Sequence, residues 1–247
     1  MNKLFSAVMY YSRLPVPKGV KCDPRTLSES LRYFPLVGLI VGALGSGGYW
    51  LSGLVLPHCV SVVVAMAVMI LTTGALHEDG FADFCDGFGG GYGKENILRI
   101  MKDSHIGTYG VIGLIFSLLV RYLLLCEIAV DQMVAVMIIS QGASRFGSLF
   151  IVRTSSYARV EPSKSSHSAL GLSLFGFVVG MVIAFVPLVW FGALFTGAYI
   201  GSLLVVTLLF RTYIYSQIEG FTGDTLGALQ QMLEVLFYLL ILTLMQL

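Results

Sequence analysis

Apolar residues along this chain gather into runs of roughly 17 to 25, the length that carries an α-helix across a bilayer, and short polar clusters separate the runs. The pattern predicts spans near 35–56, 58–76, 110–130, 133–152, 170–192, 195–215 and 229–246. The expected architecture is all-α, a polytopic integral membrane bundle of about seven transmembrane helices. No linker, low-complexity tract or internal repeat divides residues 1–247, so a single domain is expected. Gly38 and Gly42, and again Gly176 and Gly180, stand four apart within spans, a spacing that lets helices approach closely. We read it as packing inside the bundle and leave a homo-oligomer open.

The polar positions orient the bundle. Residues 1–34 carry Lys3, Arg13, Lys18, Lys21, Arg25 and Arg32 around a short apolar piece, Leu4 to Tyr11, which Arg13-Leu14-Pro15-Val16-Pro17 interrupts. A signal peptide needs a longer apolar region and a cleavage site, so this segment reads as one lying on the membrane surface. With the N-terminus cytoplasmic, the loops 77–109, 153–169 and 216–228 fall inside, the inside segments together hold nearly every Lys and Arg, and the turns near 57, 131 and 193 carry none. Arg121, Arg145 and Arg211 are the basic residues within spans.

Composition agrees. Hydrophobic residues make up 56% of the chain and charged ones 12%, with a mean hydropathy of +0.84, about half the charge of a soluble domain. A net charge of +1 argues against a nucleic-acid partner and leaves the lipid bilayer as the surrounding phase. Cys22, Cys59, Cys85 and Cys126 form no CxxC pair, so neither a zinc site nor a disulfide framework is expected.

The chemistry concentrates just after the second span. Glu78, Asp79, Asp83 and Asp86 lie within nine positions, directly after an uncharged apolar run. If that helix continues, Asp79, Asp83 and Asp86 share one face. A hard divalent cation such as Mg²⁺ keeps such like charges ionised together, with substrate phosphate completing its shell. A charge at the bilayer centre costs about 3 kcal/mol, which favours a neutralised site at the interface. The plainer alternative is a solvated acidic turn capping a membrane helix. Beyond Gly89, Gly90, Gly91 and Gly93, Lys94 to Asp103 reads as a short amphipathic helix, with Lys102 a candidate phosphate partner and Asp103 a further ligand. Arg145, beside Gln141 and Ser144 inside a span, is a candidate phosphate contact. Arg121 pairs either with Glu127 or with another span. Arg153, Arg159 and His167 mark a polar loop, and Thr222, Asp224 or Thr225 read most simply as caps of the last helix.

The run His77-Glu78-Asp79-Gly80, then Asp83 and Asp86-Gly87, followed by Met101-Lys102-Asp103-Ser104 and Ile106-Gly107-Thr108-Tyr109-Gly110, resembles the signature of the cobalamin synthase family, the adenosylcobinamide-GDP ribazoletransferases. Ser12 to Pro17, Tyr33 to Gly38 and Glu219 to Ala228 resemble further family segments, so the likeness covers essentially the whole chain. His105 stands where the family commonly has arginine, and Glu219 and Phe221 depart from its glycine-rich lead into Thr222-Gly223-Asp224.

The resemblance implies transfer of the cobinamide-phosphoryl group of adenosylcobinamide-GDP to α-ribazole or its 5′-phosphate, with release of GMP, at the cytoplasmic face of the cell inner membrane. It makes Asp224 a site candidate. Glu78, Asp79, Asp83 and Asp86 are the expected ligands of one or two Mg²⁺ ions, with Asp83 or Asp86 as a base for the 5′-hydroxyl. His77 is either another base or a hydrogen-bond partner of the acids. Two other functions fit acids on a membrane helix. A CDP-alcohol phosphotransferase of lipid synthesis has similar aspartate spacing but an alanine-arginine pair that this chain lacks. A divalent-cation transporter places its carboxylates near the midplane on broken helices.

Overall fold

The helix expected to run from the second apolar stretch through the acids does not do so. In the computed structural model, which describes residues 2–20, 23–158 and 171–244, α4 (His58–Thr73) stops at Gly74 and α5 (Leu76–Gly90) leaves it at 86°. Two successive residues adopt left-handed backbone, Gly74 at φ 66° and Ala75 at φ 58°. Ala75 carries a Cβ, so this conformation costs about 1 kcal/mol or more that surrounding contacts must offset. One such contact comes from the N-terminal segment. The Arg13 N–H donates to Thr72 O at 2.7 Å, and the Arg13 side chain fills the space that a Cβ on Gly74 would take. The acids therefore sit on a helix of their own rather than at the end of a straight span.

The remaining helices pack around that break. α1 (Asn2–Tyr11) buries Ser6, Ala7, Val8 and Tyr11 against α2 (Pro24–Ser30) and α3 (Phe34–Gly53), so this segment covers the bundle and not merely the membrane surface. The Thr26 N–H donates to Asp23 Oδ1 at 3.0 Å at the start of α2, where Pro24 needs no partner. α3 lies along α8 (Met133–Ser144), so close at Gly38 and Gly42 that a Cβ on either would meet backbone of Gln141 or Met137. This is intramolecular packing of the small-residue kind. α9 (Phe146–Thr154) continues from α8, and α6 (Lys94–Ile100) lies between α5 and α7 (Thr108–Glu127).

By length and composition five helical stretches can cross a membrane, or six when the bent pair α4 and α5 counts as one. The seventh span counted from sequence comes from the stretch Leu174–Ile218, which the structure holds as one helical run of 45 residues. Within it α10 (Leu174–Phe185) and α11 (Gly192–Ile218) are joined by a 3₁₀ segment, Val186–Phe191. Gly192, at φ 81° and ψ 169°, takes the backbone out of helical geometry there. α12 (Gly223–Leu244) closes the bundle. Arg159 and His167 lie outside the described residues. α7 leaves Ile112, Ile115, Phe116, Leu119 and Leu123 exposed, and such an apolar face is matched by lipid.

What α5 rests on is polar. Arg121 of α7 is 1% exposed and Glu234 of α12 is fully buried. Arg121 Nη2 donates to Glu234 Oε1 at 2.8 Å, while its Nη1 donates to Gln231 Oε1 at 2.7 Å and Glu78 Oε1 at 3.2 Å. Glu234 also accepts from Tyr238 Oη at 2.7 Å and Gln230 Nε2 at 2.9 Å. Arg121 thus pairs with α5 and α12 rather than with Glu127 of its own helix. In a medium of low polarity such a network is stable only when each charge is compensated. α5 and α12 then cross in near backbone contact. A Cβ on Gly80 would lie 3.0 Å from Asp224 Cα and 3.1 Å from its carbonyl oxygen, and one on Gly227 would lie 3.4 Å from His77 Cα.

Two expectations follow. Arg121→Met leaves two buried carboxylates without their cation and should lower unfolding stability by about 3–5 kcal/mol, read as a fall in the melting temperature of the detergent-solubilised protein. Gly80→Val meets backbone that cannot yield, and should cost about 1–3 kcal/mol in the same assay; an unchanged melting temperature would contradict the close crossing.

Candidate active site

The first turn of α12 arrives at α5 because its own backbone is capped from within. The Thr222 N–H donates to Thr225 Oγ1 at 2.9 Å and the Thr225 N–H donates to Thr222 Oγ1 at 3.3 Å, a reciprocal arrangement of the capping-box kind. Of the three residues read as caps, two do that work. The third, Asp224, instead accepts from the Thr222 hydroxyl at 3.3 Å and faces α5. The lead into this turn is tied down as well. The Phe221 N–H donates to Ser156 O at 3.0 Å and the Ala158 N–H donates to Phe221 O at 2.9 Å, while Gly220 has no room for a Cβ against Ser156. Glu219 ends α11 in left-handed geometry and pairs with Lys94 at 2.8 Å, and the fully buried Phe221 ring meets Tyr157 edge-on. The two departures from the family pattern in this loop thus each have a structural partner.

Between α1, α5 and the start of α12 lies a cavity of about 290 Å³. Tyr10, Tyr11 and Phe34 form one wall, and Val152, Leu226 and Gly227 another. His77, Asp79 and Asp224 supply its polar side. His77 is 3% exposed and stacks on Phe34 at 5.8 Å between ring centroids, with Nε2 buried and without a hydrogen-bond partner. Burial, with smaller contributions from Tyr157 and Asp224, raises the Tyr10 phenol above its ordinary value, so it stays protonated beside the acids.

The four acids of the motif have different surroundings. Asp79, Asp83 and Asp86 follow the i, i+4, i+7 spacing on α5, with exposed Asp79 at the cavity, Asp83 half-buried and Asp86 buried. The Asp224 backbone comes closest to α5 at Gly80, and Asp79 and Asp224 line the same cavity, with Asp83 one turn further along α5. Asp86 is directed elsewhere. Its Oδ2 accepts from the Gly107 N–H at 2.7 Å and its Oδ1 from the Gly110 N–H at 2.8 Å, which caps α7 from a neighbouring helix. A Cβ on Gly107 would sit 2.5 Å from Asp86 Oδ1, which explains the glycines of Gly107-Thr108-Tyr109-Gly110. Glu78 points to the opposite side, to Arg121 and Gln231. Among the described residues no three His, Cys, Asp or Glu side chains already converge at ligating distance.

The remaining candidates lie away from the cavity. Lys102 and Asp103 are exposed on the loop between α6 and α7. Asp103 Oδ1 accepts from the His105 N–H at 3.0 Å and contacts His105 Nδ1 at 2.8 Å, and these bonds hold its carboxyl below the usual range. His105, one of the departures from the family pattern, therefore serves a local turn. Arg145 is 1% exposed behind Phe34, its guanidinium 5.3 Å from that ring and bonded to Gln141 Oε1 at 2.9 Å. Arg211 donates to Ser155 Oγ at 2.8 Å and Thr154 O at 2.9 Å, a role in holding the loop before Tyr157. On α6, Arg99 donates to Asn96 at 2.6 Å. Sequence reasoning missed Tyr10 and Tyr11 as cavity walls and Glu234 as the partner of Arg121. A signal for the latter existed, one acid and one base each inside an otherwise apolar span.

A family model described as cobalamin-5-phosphate synthase matches residues 3–242. An adenosylcobinamide-GDP ribazoletransferase of Vibrio cholerae serotype O1 is 40% identical over 242 residues, covering 97% of this chain and 93% of its own. Proteins of the same name from Shewanella putrefaciens, 43% identical over 248 residues with 96% and 92% covered, and from Leptospira interrogans, 40% identical over 250 residues with 96% and 94% covered, are similar to it. No solved structure matches. With a family match over nearly the whole length and these relatives, the chain belongs to the cobalamin-5-phosphate synthase family.

Proposed function

We propose that this membrane protein is an adenosylcobinamide-GDP ribazoletransferase. The ribose 3′-oxygen of α-ribazole, or of its 5′-phosphate, attacks the phosphorus that carries cobinamide; the 5′-oxygen cannot serve, because the phosphate occupies it in the second acceptor. The bond from that phosphorus to the oxygen shared with GMP breaks, GMP leaves, and the hydroxyl proton passes to a carboxylate. The observation that carries the residue assignment is the crossing at Gly80, which sets the Asp224 backbone of α12 against α5 so that Asp79 and Asp224 line one cavity, with Asp83 one helical turn beyond Asp79.

The donor set fits Mg²⁺. Asp79, Asp83 and Asp224 offer hard oxygen ligands from two helices, on an accessible edge with room for substrate phosphate. Glu78 and Asp86 belong to the supporting structure, the first bound to Arg121 and the second to the α7 terminus. When bound, Mg²⁺ supplies charge neutralisation to the diphosphate and to the leaving oxygen. The protein supplies placement. Capping fixes the turn that bears Asp224, and the Arg121 network fixes the helix that bears Asp79 and Asp83, so the acids hold their positions without reorganisation. An aspartate on this edge takes the hydroxyl proton. The concentration of Lys and Arg in the segments around this edge supports a cytoplasmic face at the inner membrane.

Protein in detergent, given adenosylcobinamide-GDP and α-ribazole, should release GMP only with Mg²⁺, and chelation should stop the release reversibly. Asp79→Asn, Asp83→Asn and Asp224→Asn should each lower kcat about 100-fold or more. Asp86→Asn should instead lower the melting temperature by the equivalent of about 1–2 kcal/mol, with the smaller effect on kcat. CMP release from a CDP-alcohol, or metal flux into vesicles without any nucleotide, would overturn the reading.

A further inference from the structure

The cavity beside the acids has a chemical character that distinguishes between the parts of the two substrates. At about 290 Å³ it lies at the small end of ligand pockets. It holds one nucleoside and excludes a corrin macrocycle. Its walls are aromatic and aliphatic, from Tyr11, Phe34, Val152 and Leu226. The Ser148 hydroxyl on the wall already donates to Leu226 O at 3.0 Å. Among the described side chains that line it, His77 alone presents a buried polar atom without a partner, Nε2. Asp79 and Asp224 stand at its accessible side.

Two heterocycles compete for such a place, the guanine of the donor and the dimethylbenzimidazole of the acceptor. Guanine carries donors and acceptors on several edges, and burial against aliphatic walls leaves most of them unpaired, which is strongly unfavourable. Dimethylbenzimidazole carries two methyl groups and one free ring nitrogen, an acceptor. In the Nε2–H tautomer, the one unpartnered ring nitrogen of His77 matches one acceptor on an apolar base. The aromatic walls offer stacked or edge-on contact to its flat faces.

Resting on the proposed function, we infer that this cavity seats the base of α-ribazole. The base enters between Tyr11, Phe34, Val152 and Leu226, and its free ring nitrogen accepts a hydrogen bond from His77 Nε2–H. The ribose, with its 3′-hydroxyl, is then left toward Asp79 and Asp224. His77 is a binding residue for the acceptor and not the base that takes the proton, and the guanosine and corrinoid lie outside this cavity.

The test separates KM for each substrate. His77→Leu should raise KM for α-ribazole about tenfold, the loss of one hydrogen bond, with kcat and the KM for adenosylcobinamide-GDP within about threefold. His77→Asn keeps an N–H donor and should recover part of that loss, and its pH profile should match that of the wild type. Val152→Phe fills the cavity and should raise KM for α-ribazole more than for the riboside of unmethylated benzimidazole. Calorimetric binding of α-ribazole to the protein without donor should weaken in parallel, in variants whose melting temperature is near that of the wild type. A rise in the donor KM alone, a fall in kcat with the α-ribazole KM unmoved, or no effect of Val152→Phe would overturn the assignment. Failure of the wild type to release GMP from this substrate pair would instead overturn the proposed function.

Discussion

Every feature of the site depends on the crossing of α5 over α12 at Gly80 and Gly227, where two backbones come nearly into contact. Apolar packing alone does not fix such a crossing inside a membrane, because lipid is as apolar as the helices and gives no drive toward one register. Here the register is set by charge. Arg121 on α7 holds Glu78 of α5 and Glu234 of α12 at once, and Gln230, Gln231 and Tyr238 complete the bonds. A one-residue slip of either helix leaves a charge buried and unpaired, which costs several kcal/mol. The small residues permit the approach and the ion pairs select it.

The same logic separates the acids of the motif into two kinds. Glu78 and Asp86 are buried and bonded, one to a guanidinium and the other to two backbone N–H groups of the next helix. They make the scaffold stiff at either end of α5. Asp79 and Asp83 lie on the accessible part of the stripe, beside Asp224. A phosphoryl-transfer site needs acids that are held but still open to a metal and to substrate phosphate. Dividing four acids between support and reaction meets both needs within a few turns of helix. The break before α5 contributes too, since a straight continuation of α4 would not lay this helix across α12.

Much of this was legible in the chain. Long apolar runs and the scarcity of charge required a helical membrane protein, because a bilayer leaves backbone polar groups no partner except within a helix. The Asp79, Asp83, Asp86 spacing gave the i, i+4, i+7 stripe that α5 carries, and Thr222-Gly223-Asp224-Thr225 announced a helix start. The reading of a single straight helix through the acids failed at Gly74 and Ala75. Periodicity of apolar residues continues across a bend, and an alanine gives no sign that it will adopt φ 58°. Further along, the two apolar runs read from the sequence at 170–192 and 195–215 correspond to α10 and α11, which part at Gly192.

The sequence by itself determined what lies along a single helix or at a single turn: the number of apolar runs, the acid stripe, the caps and the sign of each loop. These depend on residues a few positions apart, whose relation is fixed by helical rise and twist. Only the tertiary structure decided that Glu78 and Asp86 are bound to other helices, that Arg121 belongs to Glu78 and Glu234, and that Tyr10, Tyr11, His77 and Leu226 line one cavity. Those relations join residues far apart in sequence, and helical periodicity contains no term for which distant partner will satisfy a buried charge.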